Sequence, residues 1–150
     1  MHMKGLCYTF RTFHFLPILK EVFPEIHVLG KLKLDIEKFC SQIIETNPDY
    51  IIGIAYSRKG SFFENVAINK FNSNTIIKNS TKKFILDVPE NPLFKISRKP
   101  TTSFCNYSMY RIKYFLDKNS LGTKFYFIHL TEKDISLLSQ IKTNLFTFSL

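Results

Sequence analysis

Short apolar runs, separated by residues that favour turns, recur along this chain. Runs of this length bounded by Gly, Pro or Asn are typical of β-strands. The run Tyr50–Ala55 is apolar almost throughout, as expected for a strand that is covered on both faces of its sheet. Strands are predicted at Leu6–Phe10, Glu25–Leu29, Tyr50–Ala55, Val66–Phe71, Phe84–Val88 and Lys124–Leu130.

Helical spacing alternates with these runs. The strongest example follows Asp35, which we interpret as an N-cap, and places apolar residues on one face from Ile36 to Ile44. Thr131–Asp134 resembles a capping box before a last helix, and further helices are predicted at Leu16–Phe23 and Asn106–Leu116. The alternation predicts an α/β fold: a single domain over residues 1–150, with a central mixed β-sheet flanked by helices on both faces.

Composition narrows the class of protein. A chain of 150 residues with 45% hydrophobic residues and 16 Phe is not a disordered one. No apolar run approaches the roughly 20 residues that a membrane-spanning helix needs, and the first residues lack the apolar core of a signal peptide. The three cysteines have no metal-ligand spacing. We therefore expect a cytoplasmic protein without a metal, an organic cofactor or a membrane partner.

The net charge of +9 raises the question of nucleic-acid binding. The lysines are spread along the chain, and the densest basic positions, Lys82-Lys83 and Arg98-Lys99, are only pairs. No nucleic-acid-binding motif accompanies them. The charge pattern therefore argues against a nucleic-acid partner.

Three residues at element ends could form a catalytic site. Cys105 stands where a helix begins, and a helix N-terminus favours thiolate over thiol, so we expect a lowered pKa and high reactivity. His129 closes an apolar strand, and Glu64 precedes another. A thiol, an imidazole and a carboxylate are the groups of a cysteine hydrolase. The alternative for each is structural: a buried thiol like Cys7 and Cys40, a core histidine and a solvated carboxylate.

The segments around these residues resemble pyroglutamyl peptidase I, a cysteine peptidase family that removes N-terminal pyroglutamate. The family carries Glu-Arg-Val-Ala-Ile-Asn, Gly-Thr-Phe-Val-Cys-Asn and Phe-Ile-His in this order. The matching segments here are Glu64–Asn69, Thr101–Asn106 and Phe127–His129. The resemblance implies the same α/β architecture and a triad in which Cys105 attacks, His129 transfers protons and Glu64 orients His129.

The resemblance also implies substrate-binding residues. Phe10 and Phe13 match aromatic residues that pack around the pyroglutamyl ring in the family, and Arg58 matches an arginine near its active site. Core packing for the two Phe and a solvated loop position for Arg58 are the alternatives. Several family glycines are replaced, and the segment between Glu64 and Cys105 is shorter by roughly twenty residues, which is more than a trimmed turn.

Two functions follow. The first is a thiol hydrolase that cleaves an N-terminal pyroglutamyl, or related blocked, residue from a peptide substrate. The second is a catalytically silent relative that serves as a binding or structural module. Because the shortened segment removes cover from the pocket, we expect slow hydrolysis in the first case. The sequence is also compatible with a homo-oligomer.

Overall fold

The computed structural model describes residues 3–147 of the chain. These residues form eight strands and four α-helices, with a 3-10 helix at Glu132–Leu137 before the last α-helix, and five of the strands follow one another between the second and third α-helices. The strands are β1 (Gly5–Phe10), β2 (His27–Leu29), β3 (Tyr50–Tyr56), β4 (Phe62–Glu64), β5 (Val66–Ile68), β6 (Lys83–Ile85), β7 (Lys95–Ser97) and β8 (Lys124–Leu130), and the helices are α1 (Leu16–Val22), α2 (Leu32–Thr46), α3 (Phe104–Lys118) and α4 (Leu138–Thr147).

Six of the strands form one mixed sheet in the order β2-β1-β3-β8-β4-β7. Strands β2, β1, β3 and β8 run parallel, β4 runs antiparallel to β8, and β7 is parallel to β4. Strands β5 and β6 pair separately as an antiparallel ribbon. The predicted α/β fold with a central mixed sheet is confirmed.

Each face of the sheet has its own hydrophobic core. One core contains Tyr8 of β1 and Phe127 of β8 and lies under α2 and α3. The other contains Ile54 of β3 and Ile128 of β8 and lies under α1 and α4. Alternate residues of the central strands point to opposite faces, which explains why these strands are apolar almost throughout.

The first of these cores leaves no room for a side chain at Gly53 of β3. A Cβ atom there would lie 2.5 Å from Cδ2 of Phe127 and 2.6 Å from Cζ of Tyr8, and both rings are fully buried. We expect Gly53→Ala to lower the free energy of unfolding by about 1–3 kcal/mol, because neither ring can move aside freely. Gly122→Ala, where a Cβ meets nothing within 4 Å, is the matched control. Urea unfolding of both variants measures the difference, and equal stability would contradict this description of the core.

The predicted N-cap of α2 is wrong. The helix begins at Leu32, three residues before Asp35, with Lys31 as its N-cap. The Asp35 carboxylate instead accepts hydrogen bonds from the backbone N–H groups of Gly30 and Lys31, at 2.7 and 2.8 Å. These hydrogen bonds are the main reason why the pKa of Asp35 is lowered. Asp35 therefore stabilises the start of the helix from within its first turn.

The segment around Glu64 also differs from the prediction. Glu64 ends β4 and does not precede a single strand Val66–Phe71, because the chain leaves the main sheet at Asn65. The strand that follows, β5, ends at Ile68, and its partner β6 begins one residue before Phe84. Glu64 therefore lies at the end of a strand that is hydrogen-bonded to β8, the strand of His129.

The predicted capping box at Thr131 does not form: the Thr131 side chain makes no cap hydrogen bond, and its backbone N–H donates to Oγ of Ser61. The Thr131 hydroxyl donates to the carboxylate of Asp134, and the Asp134 N–H donates to the Thr131 carbonyl. The turn that follows is a 3-10 helix, so the α-helix starts later than the pattern suggested. Within residues 3–147, no helix has the length and apolar character to cross a membrane.

Candidate active site

Cys105 is the second residue of α3 and points into the core shared by α2 and α3. Only 6% of the residue is exposed. Burial, and secondarily the nearby Glu64 carboxylate, raises the pKa of the Cys105 thiol to about 12. The expectation of a lowered pKa is therefore wrong for this structure, because desolvation of the thiolate outweighs the partial positive charge of the helix N-terminus.

His129 and Glu64 form a buried pair where β8 and β4 lie side by side. Nε2 of His129 lies 2.7 Å from Oε1 of Glu64, and the side chains are 14% and 3% exposed. The ring of Phe62 stacks on the imidazole at 4.4 Å with an interplanar angle of 16°. With Glu64 as a carboxylate, Nε2 carries the hydrogen and Nδ1 is left as the basic nitrogen. The predicted contact between Glu64 and His129 is confirmed.

The second carboxylate oxygen of Glu64 is buried and unpartnered. Among the residues that the structure describes, Oε2 has no hydrogen-bond partner. A buried acceptor without a partner costs about 1–3 kcal/mol, which is unusual in a purely structural position. Oε2 can therefore accept one further hydrogen bond, whereas Oε1 is already engaged by His129.

Cys105 and His129 belong to the same side of the sheet. Residues 125 and 127 of β8 lie in the core that contains Cys105, and alternation along the strand brings His129 to that face. No hydrogen bond joins the thiol to the imidazole among residues 3–147. The thiol thus lies on the face of the His129–Glu64 pair, close enough for the Glu64 carboxylate to raise its pKa, but it is not hydrogen-bonded to the imidazole.

The three predicted substrate-binding residues lie in separate places. Phe10 is buried in the core of Cys105, with its ring 4.7 Å from the ring of Phe104. Phe13 is buried on the opposite face, and Arg58 is exposed beside a cavity of about 500 Å³. The structure therefore does not bring Phe10 and Phe13 together as two walls around one ring.

Asn106 has a positioning role that the sequence analysis did not assign. Its side-chain amide accepts a hydrogen bond from the N–H of Ile68 at 2.8 Å and donates to the carbonyls of Ile68 and Lys70. These three hydrogen bonds connect the first turn of α3 to the end of β5. The residue next to Cys105 thus fixes the position of the thiol, and its place directly after the cysteine was the available signal.

The raised pKa of Cys105 changes the order in which Cys105 and Cys40 are expected to react. Burial raises the pKa of Cys40 only to about 11, and Cys40 is also slightly more exposed than Cys105. We expect iodoacetamide to label Cys40 at least as fast as Cys105 in the unliganded protein, because thiolate is the reactive form. Peptide mass mapping over time, with urea-unfolded protein as the control for intrinsic reactivity, measures both rates. Faster labelling of Cys105 than of Cys40 would contradict the raised pKa and support the original expectation that the Cys105 thiol has a lowered pKa.

Comparison with known proteins defines the class of fold. No family profile and no curated protein matches the sequence. Solved structures do match: the pyrrolidone carboxyl peptidase from Thermococcus litoralis superposes with a TM-score of 0.79 at 16% identity, covering 99% of this chain and 96% of that one. A variant of the Pyrococcus furiosus enzyme gives a TM-score of 0.71 at 18% identity, covering 94% and 86%.

The chain therefore has a pyroglutamyl peptidase I-like fold. This agrees with the resemblance in the segments around Glu64, Cys105 and His129.

Proposed function

We propose that this protein is a thiol hydrolase that removes an N-terminal pyroglutamyl, or closely related blocked, residue from peptides. The observation that carries the proposal is the part-buried hydrogen bond between His129 and Glu64, on the face of the sheet that also holds Cys105. An imidazole that is oriented by a carboxylate and lies near a thiol is suited to acyl transfer. The pyroglutamyl peptidase I-like fold supports the choice of substrate.

The reaction proceeds in two halves. Sγ of Cys105 attacks the scissile carbonyl carbon while Nδ1 of His129 takes the thiol proton. The C–N bond then breaks, His129 gives that proton to the leaving amine, and the pyroglutamyl group remains on Cys105 as a thioester. Water attacks the thioester carbonyl, His129 takes a proton from the water, and the C–S bond breaks. The released thiolate of Cys105 regains the proton, and pyroglutamate leaves.

The first turn of α3 supplies the electrostatic part of this chemistry. Cys105 lies at the second position of a 15-residue helix, where backbone N–H groups have no carbonyl partner within the helix. Such groups can donate to the negative oxygen of the tetrahedral intermediate. The hydrogen bonds of Asn106 hold this turn in place.

The resting thiol is neutral in this mechanism. Because the pKa of Cys105 is raised to about 12, proton transfer to His129 accompanies the attack and does not precede it. The buried thiol must also become accessible before a peptide can reach it. Both requirements are in keeping with slow turnover.

The substrate-binding roles of Phe10, Phe13 and Arg58 are part of the same proposal. Phe10 shares a core with Cys105 and can form one wall of the acyl pocket when the thiol is uncovered. Phe13 and Arg58 reach the substrate only if the segment 11–15 or the loop after β3 moves. A catalytically silent module is less well supported, because it leaves the buried Glu64–His129 pair without a role.

The proposal is tested with a pyroglutamyl fluorogenic amide, using a prolyl amide of the same dye as the comparison substrate. The lactam carbonyl and N–H distinguish the two rings, so we expect slow release of dye from the first substrate and none above background from the second. Equal release from both would argue against a pyroglutamyl peptidase. No release from either, over hours at high protein concentration, would favour the silent module.

A further inference from the structure

A groove with a volume of about 630 Å³ runs along the surface between α2 and α3. Each helix lines it with residues spaced i, i+3, i+4, i+7 and i+8, so one continuous stripe of each helix forms a wall. The stripe of α2 runs from Glu37 to Glu45, and the stripe of α3 runs from Arg111 to Asn119. The groove is therefore a property of two regular helix faces and not of a loop.

The lower part of the groove is apolar. Cys40 of α2 lies at its floor, and Tyr114 and Phe115 of α3 line it while half-buried. Ile44 stands at the rim of the α2 wall with 55% of the residue exposed. An aliphatic side chain in this position gains from being covered, because burial removes its apolar surface from water.

The charges on the two walls are separated by sign. The α2 wall carries Glu37 and Glu45, and the α3 wall carries Arg111 and Lys118. Within residues 3–147, none of these four groups forms an ion pair. Beyond the effect of burial, Arg111 lowers and Glu37 raises the pKa of Cys40, so both charges lie near that thiol and at one level of the groove. Glu45 and Lys118 each lie about two helical turns further along.

This pattern is complementary to itself under a two-fold rotation. The two helices run in the same direction, because α2 leads into β3 and α3 leads into β8, and these strands are parallel. A two-fold axis along the groove places α2 of each copy over α3 of the other. Glu37 then faces Arg111 of the other copy, and Glu45 faces Lys118. An axis across the groove would bring like charges together, so the charges select the first arrangement.

The size of this face indicates how strongly two copies associate. Each helix has 15 residues, so the face is about 22 Å long and about 20 Å wide. Two copies that meet over it bury on the order of 900 Å² in total, which is the low end for specific complexes. The association is therefore weak and depends on protein concentration.

We propose that this protein forms a weak two-fold dimer through the groove between α2 and α3. In the dimer, α2 of each copy packs on α3 of the other, and Ile44 is buried against Tyr114 and Phe115 of the second copy. The groove begins at Arg111, more than one turn along α3 from Cys105. The dimer therefore uses no residue of the candidate active site and does not depend on the proposed hydrolase activity.

Sedimentation velocity from micromolar to near-millimolar concentration tests the proposal with two charge-reversal variants. Glu37→Lys/Glu45→Lys makes both walls basic, and Arg111→Glu/Lys118→Glu makes both walls acidic. Each variant alone should dimerise at least about tenfold more weakly than the unmodified protein, because every charge pair between the copies becomes repulsive. An equimolar mixture of the two variants should recover a dimer of about the original affinity, since each wall then meets the opposite charge on the other chain.

The mixture separates docking from damage to the fold. Like charges remain side by side within each chain of the mixture, so recovery can come only from contacts between chains. Glu21→Lys/Glu90→Lys is the matched control, because it makes the same change in net charge at exposed positions on α1 and before β7. We expect this control to keep its dimer affinity within about twofold at physiological ionic strength.

Cys40 reports on the same contact from the floor of the groove. As protein concentration rises and the dimer forms, the rate at which iodoacetamide labels Cys40 should fall. The rate for Cys105, which lies outside the groove, should stay constant and is the internal control.

Three results would overturn the inference. One is a protein that stays monomeric at near-millimolar concentration. Another is a dimer that persists in both charge-reversal variants, because such a dimer uses a different surface. The third is a mixture of the two variants that associates no better than either variant alone.

Discussion

Replacing Cys105 with serine should reduce turnover of a pyroglutamyl fluorogenic amide by at least about 10³-fold. A serine hydroxyl holds its proton far more tightly than a thiol does, and its oxygen is a weaker nucleophile than sulfur. Dye release at saturating substrate, compared with that of the unmodified protein at equal concentration, measures the loss.

Cys40→Ser is the control for this experiment. Cys40 is also a buried free thiol, but it lies on α2, on the groove between α2 and α3. We expect its replacement to leave turnover within about twofold of the starting value, as is usual for a conservative change away from the site. If the two serine variants lose activity equally, the loss reports damage to the fold and not removal of a nucleophile.

Replacing Glu64 with glutamine should lower kcat by about 10²- to 10⁴-fold and leave KM nearly unchanged. The glutamine side chain has almost the same shape, but it lacks the charge that stabilises the imidazolium and can offer an N–H in place of an acceptor to Nε2. Because Glu64 acts through His129 and does not touch the substrate, the effect should fall on kcat. Steady-state kinetics with the same fluorogenic amide separates the two constants.

Glu64→Asp tests whether the charge or mere packing matters. A shorter carboxylate can still accept a hydrogen bond from Nε2, at the cost of a small cavity, so part of the lost kcat should return. Glu21→Gln, which removes an exposed carboxylate on α1, should have no effect. A kcat that is as low in the aspartate variant as in the glutamine variant would indicate that Glu64 only fills space.

The central strands and the helices between them could be predicted because each carries its own periodic pattern. Strands β1, β3 and β8 begin and end within a residue of the prediction. The region after Glu64 could not be predicted as well. The short strand β4 forms because it pairs with β8, and β7 forms because it pairs with β4. Pairing between distant segments produces no periodic pattern in the sequence of a three-residue strand.

In the candidate site, too, some features could be predicted from the sequence and others could not. The contact between Glu64 and His129 could be predicted because the family resemblance implies that the glutamate orients the histidine. The protonation behaviour of Cys105 could not be predicted, because it depends on how completely α2, α3 and Phe10 exclude water from the thiol. The separation of Phe10 from Phe13 likewise depends on which face of the sheet each ring enters.

The most direct test of a Cys105 nucleophile is to trap the acyl-enzyme. Acid quenching of the protein during turnover of a pyroglutamyl ester, followed by digestion and mass spectrometry, should find the pyroglutamyl group on the peptide that contains Cys105. The adduct should disappear on treatment with hydroxylamine, as a thioester does, and should be absent from the Cys105→Ser variant. Hydrolysis that continues without any acylated Cys105, or an acyl group found on another residue, would contradict the account.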